Sequence, residues 1–177
     1  MSLPKWKKLS ESVVQKNPWW EYRKDRFELP GGKQGDYHYV HALGSSLIVP
    51  VLNDGRVVLV NQYRYLNGKE SLEFPCGGVK DGSSHDQTAG EELAEEAGFS
   101  ARVWQILGEF NPYNGVTDEI CRVYMAKDLL RVKQNPDMTE EFEKVTLTPV
   151  EIDARIVSGV IWDGMTIAAW GIAKNYV

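Results

Sequence analysis

"GGVKDGSSHDQTAGEELAEEAGF", Gly77 to Phe99, decides how the rest of the chain is read. Between Lys80 and Arg102 there is no lysine or arginine, yet Asp81, Asp86, Glu91, Glu92, Glu95 and Glu96 all fall there. The pattern predicts a helix from about Ser84 to Ala97, with Gly98 where a helix-ending glycine is expected. A helix advances about 100° per residue, so Glu92 shares a face with Glu95 and Glu96, with Glu91 at its edge. Leu93, Ala94 and Ala97 point the other way, toward a core. The i±4 neighbours include Gln87, Thr88, Phe99 and Ser100, so no basic side chain relieves the repulsion. Two readings fit. One is a solvated acidic face. The other is a site for a hard divalent cation such as Mg²⁺, which takes oxygen ligands and keeps waters for a phosphate to replace. The glycines of "PCGGVKDG" allow a tight loop whose main-chain carbonyl can also approach a cation.

The surrounding chain is that of a soluble globular protein. Its 177 residues fit one domain, or one domain with a small appendage, and 42% hydrophobic residues suffice for a core. A net charge of −5 argues against a nucleic-acid polymer as partner, since that needs a basic face. Cys76 and Cys121 lie in separate hydrophobic segments, which reads as two reduced thiols in a cytoplasmic protein. "MSLPKWKKLS" is basic without a following apolar run, so neither a signal peptide nor a membrane span is expected.

Strands are expected in "NPWWEYRKDRFELP" and "GDYHYVHA", turning at Pro30 to Gly32. "SSLIVPV" and "RVVLVNQYRY" read as a hairpin around Asn53 to Gly55. "ESLEFP", "RVWQILGEF", "EICRVYMAKDL" and "FEKVTLT" are further strands, followed by helices over about Pro149–Val157 and Met165–Asn175. The class is therefore α+β. Trp6, Trp19 and Trp20 crowd the first 44 residues, a segment too small for its own core. The expected division is residues 1–44 as an N-terminal antiparallel β segment and 45–177 as the main domain. The histidines His38, His41 and His85 carry no catalytic expectation.

Gly77, Glu92, Leu93, Glu95, Glu96, Gly98 and Phe99 match the Nudix box at its spacing. The chain resembles the Nudix hydrolase family, and its flanks resemble the ADP-ribose pyrophosphatase-like branch: "VVLVNQYRY" with "LEFPCGG" before the box, the aromatic N-terminal segment, and "GMTIAAW" as the last helix. The resemblance implies a Nudix fold, an α/β/α sandwich around a mixed β-sheet. It implies metal-dependent hydrolysis of the pyrophosphate of ADP-ribose or a related nucleoside diphosphate sugar, with Mg²⁺ or Mn²⁺ as cofactor. By position in the box, Glu92 and Glu96 are the main metal ligands and catalytic glutamates, Glu95 a further ligand or a water-mediated contact, and the carbonyl of Cys76 a backbone ligand. Glu140 and Glu141 lie where the branch carries a catalytic base. Arg64 and Glu73 match branch positions near the substrate phosphates, and a structural Arg64–Glu73 pair is the other reading. Trp19 and Trp20 offer a stacking face for a base, or packing at a dimer seam. Glu119, in the loop "NPYNGVTDE", also matches a substrate-side position. A homodimer is implied, with a nucleoside diphosphate-linked small molecule as partner and no membrane.

The box departs from the family at two positions. Ser83 stands in place of an early glutamate, and Glu91 in place of an arginine. Activity then persists with Arg102 or another distant cation substituting, or with Glu91 as an extra ligand, or the protein binds a nucleotide without cleaving it. Asn114 replaces a proline associated with ADP-ribose use, so a nucleoside diphosphate sugar fits as well.

Overall fold

The structure is a computed structural model that describes residues 3–133 and 142–177. The chain divides into two compact units, residues 1–43 with 111–120, and residues 44–110 with 121–177.

The second unit holds the core. Strand β4 (Ser45–Pro50) lies beside β7 (Cys76–Gly78) and, in parallel, β9 (Cys121–Arg131), which also pairs antiparallel with β8 (Phe99–Phe110). A second sheet runs β10 (Glu143–Leu147), β5 (Val57–Arg64), β6 (Lys69–Glu73). Strand alternation sends each residue set to its own layer. Leu47, Val49, Val57, Leu59, Val123 and Met125 join one core with Ile152 of α2 (Pro149–Val157) and Trp170 of α3 (Gly164–Ala173). Ile48, Val58, Val60, Tyr124 and Ala126 join another with Ala89 and Leu93 of α1 (His85–Glu95) and with Ala97 just beyond it. Helices thus cover opposite faces, and the mixed α+β sandwich expected from the sequence is present.

The expected hairpin at Asn53–Gly55 is only half right. The turn forms, with Gly55 in the left-handed region at φ 81° and a single bridge between Val51 and Val57. Beyond that bridge β4 and β5 part into different sheets. All of β4 and the first four residues of β5 are buried, and each strand takes its neighbours from its own sheet.

The first unit is a three-stranded antiparallel sheet of β1 (Lys7–Lys16), β2 (Glu21–Glu28) and β3 (Gln34–His41). Sequence reading missed β1, because "KKLSESVVQK" has no clean alternation. The loop 111–120 adds to β3 through a parallel bridge of Val40 with Thr117, and His41 Nδ1 lies 2.7 Å from Asp118 Oδ2. Trp6 stacks on Phe27 at 4.6 Å between centroids. None of the described residues of this unit is buried.

Candidate active site

The second unit brings the decisive stretch together around the start of β7. Helix α1 is fixed first. Ser84 caps it with a capping box, its hydroxyl accepting from the Gln87 amide while the Gln87 side chain accepts from the Ser84 amide. The fully buried Ser46 donates its hydroxyl to the His85 carbonyl at 2.8 Å, and His85 Nδ1 lies 3.1 Å from the Ser45 carbonyl. Tyr124 of β9 donates to Asp86 at 2.5 Å. Burial, and then the Asp86 carboxylate, push the Tyr124 phenol up to about 12. This clamp holds α1 against β4 and β9 and fixes the helix rotation.

That rotation separates the carboxylates into two stripes. Glu96 is 5% exposed and accepts a hydrogen bond from the Cys76 amide at 2.9 Å. Glu92, one turn earlier and half-buried, lies across Gly77: a Cβ there would fall 1.9 Å from Glu92 Oε1. A glycine is required at 77 for this close approach. Glu91 and Glu95 face the other way, lining an open depression of about 530 Å³ with Asp86, Gln87, Gly90, Ala94 and Lys133. Ala94 is therefore only half-buried, whereas Leu93 and Ala97 reach the core as expected. Arg102, considered as the replacement cation, instead pairs with Asp128 at 3.6 Å. Lys133, which no sequence pattern singled out, is the cation in the Glu91–Glu95 depression.

Beside β7, Arg64 of β5 binds Glu73 of β6 through two parallel bonds, Nε to Oε1 at 2.8 Å and Nη2 to Oε2. The Glu73 side chain is 5% exposed and that of Arg64 45%. The guanidinium pKa is raised, chiefly by the hydrogen bond to Glu73 and against its burial, with Asp163 and Glu96 adding to the field. Arg64 thus feels the carboxylate that holds the Cys76 amide. The Cys76 thiol is pushed well above its usual value by a hydrogen bond to Cys121 and by burial.

The donor set suits a hard cation. Two carboxylates converge on a backbone turn, and no soft ligand in a reactive state stands beside them. Among the described residues no group of three His, Cys, Asp or Glu side chains is gathered for a metal ion.

Of the other expected site residues, Trp19, Trp20 and Glu119 belong to the first unit. Trp19 and Trp20 sit in the turn between β1 and β2, where both amides donate to Asn17 Oδ1 at 2.9 Å. Trp19 is 80% exposed. Glu119 lies in the loop 111–120, its amide donating to Thr117 Oγ1 at 3.1 Å. Glu140 and Glu141 lie outside the described residues.

A NUDIX domain model matches residues 42–159. The chain belongs to the Nudix family. As a Nudix protein it is a pyrophosphohydrolase, and a model described as the nucleoside diphosphate sugar hydrolase N-terminal domain matches residues 6–40. The chain is similar to an ADP-ribose pyrophosphatase of Mycobacterium tuberculosis, at 33% identity over 150 residues, covering 82% of this chain and 72% of that one. It is also similar to a methanol dehydrogenase activator of Bacillus methanolicus, at 32% identity over 148 residues, covering 82% and 80%. A crystal structure of an ADP compounds hydrolase superposes with a TM-score of 0.85 over 99% of this chain and 96% of its own, at 20% identity, which speaks to the fold alone. Among the described residues, no helix is long and apolar enough to cross a membrane.

Proposed function

We propose that this Nudix protein hydrolyses the pyrophosphate of ADP-ribose or a related nucleoside diphosphate sugar, aided by Mg²⁺ or Mn²⁺. The observation that carries the proposal is the convergence of Glu92 and Glu96 on the Cys76–Gly77 turn, beside the Arg64–Glu73 pair. The names of the relatives and of the N-terminal family supply the substrate class.

Glu92 and Glu96 are the direct ligands for the cation, with the Cys76 carbonyl beside them, and Glu95, on the open side of the helix, contributes through water. A bound divalent ion supplies charge neutralisation at the pyrophosphate and lowers the pKa of water. Arg64 turns its exposed guanidinium to the phosphates, for which its planar fork is suited. Glu140 or Glu141 is the base that orients the attacking water. Trp19, Trp20 and Glu119 recognise the nucleoside end. The N-terminal unit, with no buried residue among its described ones, is the surface for a homodimer. The exposed position of Glu91, away from the Gly77 stripe, supports retained hydrolysis rather than binding alone.

The test is release of AMP from ADP-ribose with and without Mg²⁺ or Mn²⁺, alongside a panel of nucleoside diphosphate sugars. Metal-dependent cleavage of any one is the expected result. No cleavage, with a nucleotide still raising the melting temperature, would replace the proposal by nucleotide binding.

A further inference from the structure

Ser71 carries the one buried side-chain oxygen without a hydrogen-bond partner among the described residues. It is 1% exposed, in the middle of β6. Alternation along the strand puts it on the same face as Glu73, and the register sets it directly opposite Gln62. Gln62 Nε2 is 3.5 Å from Glu73 Oε2, a stretched bond. In this structure the buried Glu73 charge is therefore balanced chiefly by Arg64.

That balance conflicts with function. Arg64 cannot turn its full fork to a pyrophosphate while both its bonds go to Glu73. Releasing it leaves a buried carboxylate with one stretched bond, and an unpaired buried charge costs far more than an unpaired hydroxyl. The guanidinium, nearly half exposed, can turn without crossing the core. Side chains two apart on a strand stand about 7 Å apart at their bases, within the span of a glutamate leaning toward a serine.

We propose that Ser71 is a positioning residue: its spare hydroxyl, with Gln62, receives the Glu73 carboxylate when Arg64 leaves it for the substrate phosphates. This rests on the reading that Arg64 binds the pyrophosphate. No covalent bond changes. Two hydrogen-bond partners are exchanged, and the orphaned donor of the free state finds its acceptor in the bound state.

The Ser71 bond forms on binding and persists through reaction, so its loss is read in KM rather than kcat. With ADP-ribose and Mg²⁺, Ser71→Ala raises KM roughly three- to tenfold and leaves kcat within about twofold. Its melting temperature is equal to or above that of the unsubstituted chain, since an unsatisfied hydroxyl has gone. Ser71→Thr keeps the hydroxyl and restores KM. In an Arg64→Met background, Ser71→Ala changes nothing further, measured as affinity for the methylene-bridged ADP-ribose analogue. An unchanged KM in Ser71→Ala, or an equal loss of affinity in the Arg64→Met background, overturns the proposal while the hydrolase reading stands. If the unsubstituted chain neither cleaves ADP-ribose nor binds the analogue, the substrate reading fails and the role of Ser71 falls with it.

Discussion

Two stripes of one helix have the same composition and different surroundings. Glu92 and Glu96 lie against Gly77 and the Cys76 amide, whereas Glu91 and Glu95 line an open depression beside Lys133. In water, like charges at helical spacing repel by only tenths of a kcal/mol. Partial burial beside a backbone turn makes the first stripe a place where a cation is worth far more. The difference teaches that a count of carboxylates does not define a metal site. The helix rotation decides which carboxylates meet, and here it is set by Ser46, His85, Asp86 and Tyr124.

The largest effect expected is at Glu96. Glu96→Gln removes the charge but keeps an oxygen that can accept from the Cys76 amide, so the fold is retained. Turnover at saturating substrate falls roughly 10²–10³-fold, the scale of losing one group that stabilises developing charge. The melting temperature shifts by less than a few degrees. Unchanged turnover would erase the distinction between the stripes and the metal assignment with it.

Glycine substitutions separate the stripes more finely. Gly77→Ala places a Cβ 1.9 Å from Glu92 Oε1, so Glu92 must swing away. The φ of Gly77 is not among the positive ones, so the backbone itself accepts alanine. Turnover falls about tenfold or more, as a misplaced reacting group requires. Gly90→Ala, on the open stripe, meets nothing within 4 Å. Removing a mid-helix glycine there stabilises the chain by about 0.5–1 kcal/mol and leaves turnover alone. Denaturant melts and initial rates of the two variants check this, and equal losses in both would mean that α1 is rotated from the orientation described.

Much of this was legible in the chain. The box singled out Gly77, Glu92 and Glu96, which the fold brings together, and the apolar runs of β4 and β5 read as strands. The stop at Gly98 was visible because that residue sits at φ 68°, where glycine carries little penalty. What was not legible depended on partners distant in sequence. The Asn53–Gly55 turn is a local signal, but the neighbours of β4 come from β7 and β9, far along the chain. Helical spacing alone grouped Glu95 with Glu92 and Glu96. The clamp from Ser46 and Tyr124, in two other strands, was needed to place Glu95 on the open side. The orphaned Ser71 hydroxyl had no signal in sequence at all, since a serine in a strand looks the same whether or not its oxygen is paired.

The smallest expected effect is at Glu91, which the sequence reading set against an arginine of the Nudix box. Glu91 is exposed and stands four residues before Glu95, facing the same depression. Glu91→Arg converts an i,i+4 repulsion into an attraction, worth about 0.5 kcal/mol and screened by salt. The melting temperature rises slightly at low ionic strength, and the rise disappears at high salt. Turnover at saturating Mg²⁺ stays the same, because the residue does not face Gly77. At limiting Mg²⁺ two influences compete. A cation on the helix weakens the general attraction for the metal, while relief of repulsion orders Glu92 and Glu96 for it. The second acts within the helix turn that holds the ligands and the first is screened across solvent, so activity at low Mg²⁺ rises, by no more than about threefold. A clear fall instead would mean that Glu91 is itself a ligand and that the open stripe also binds metal.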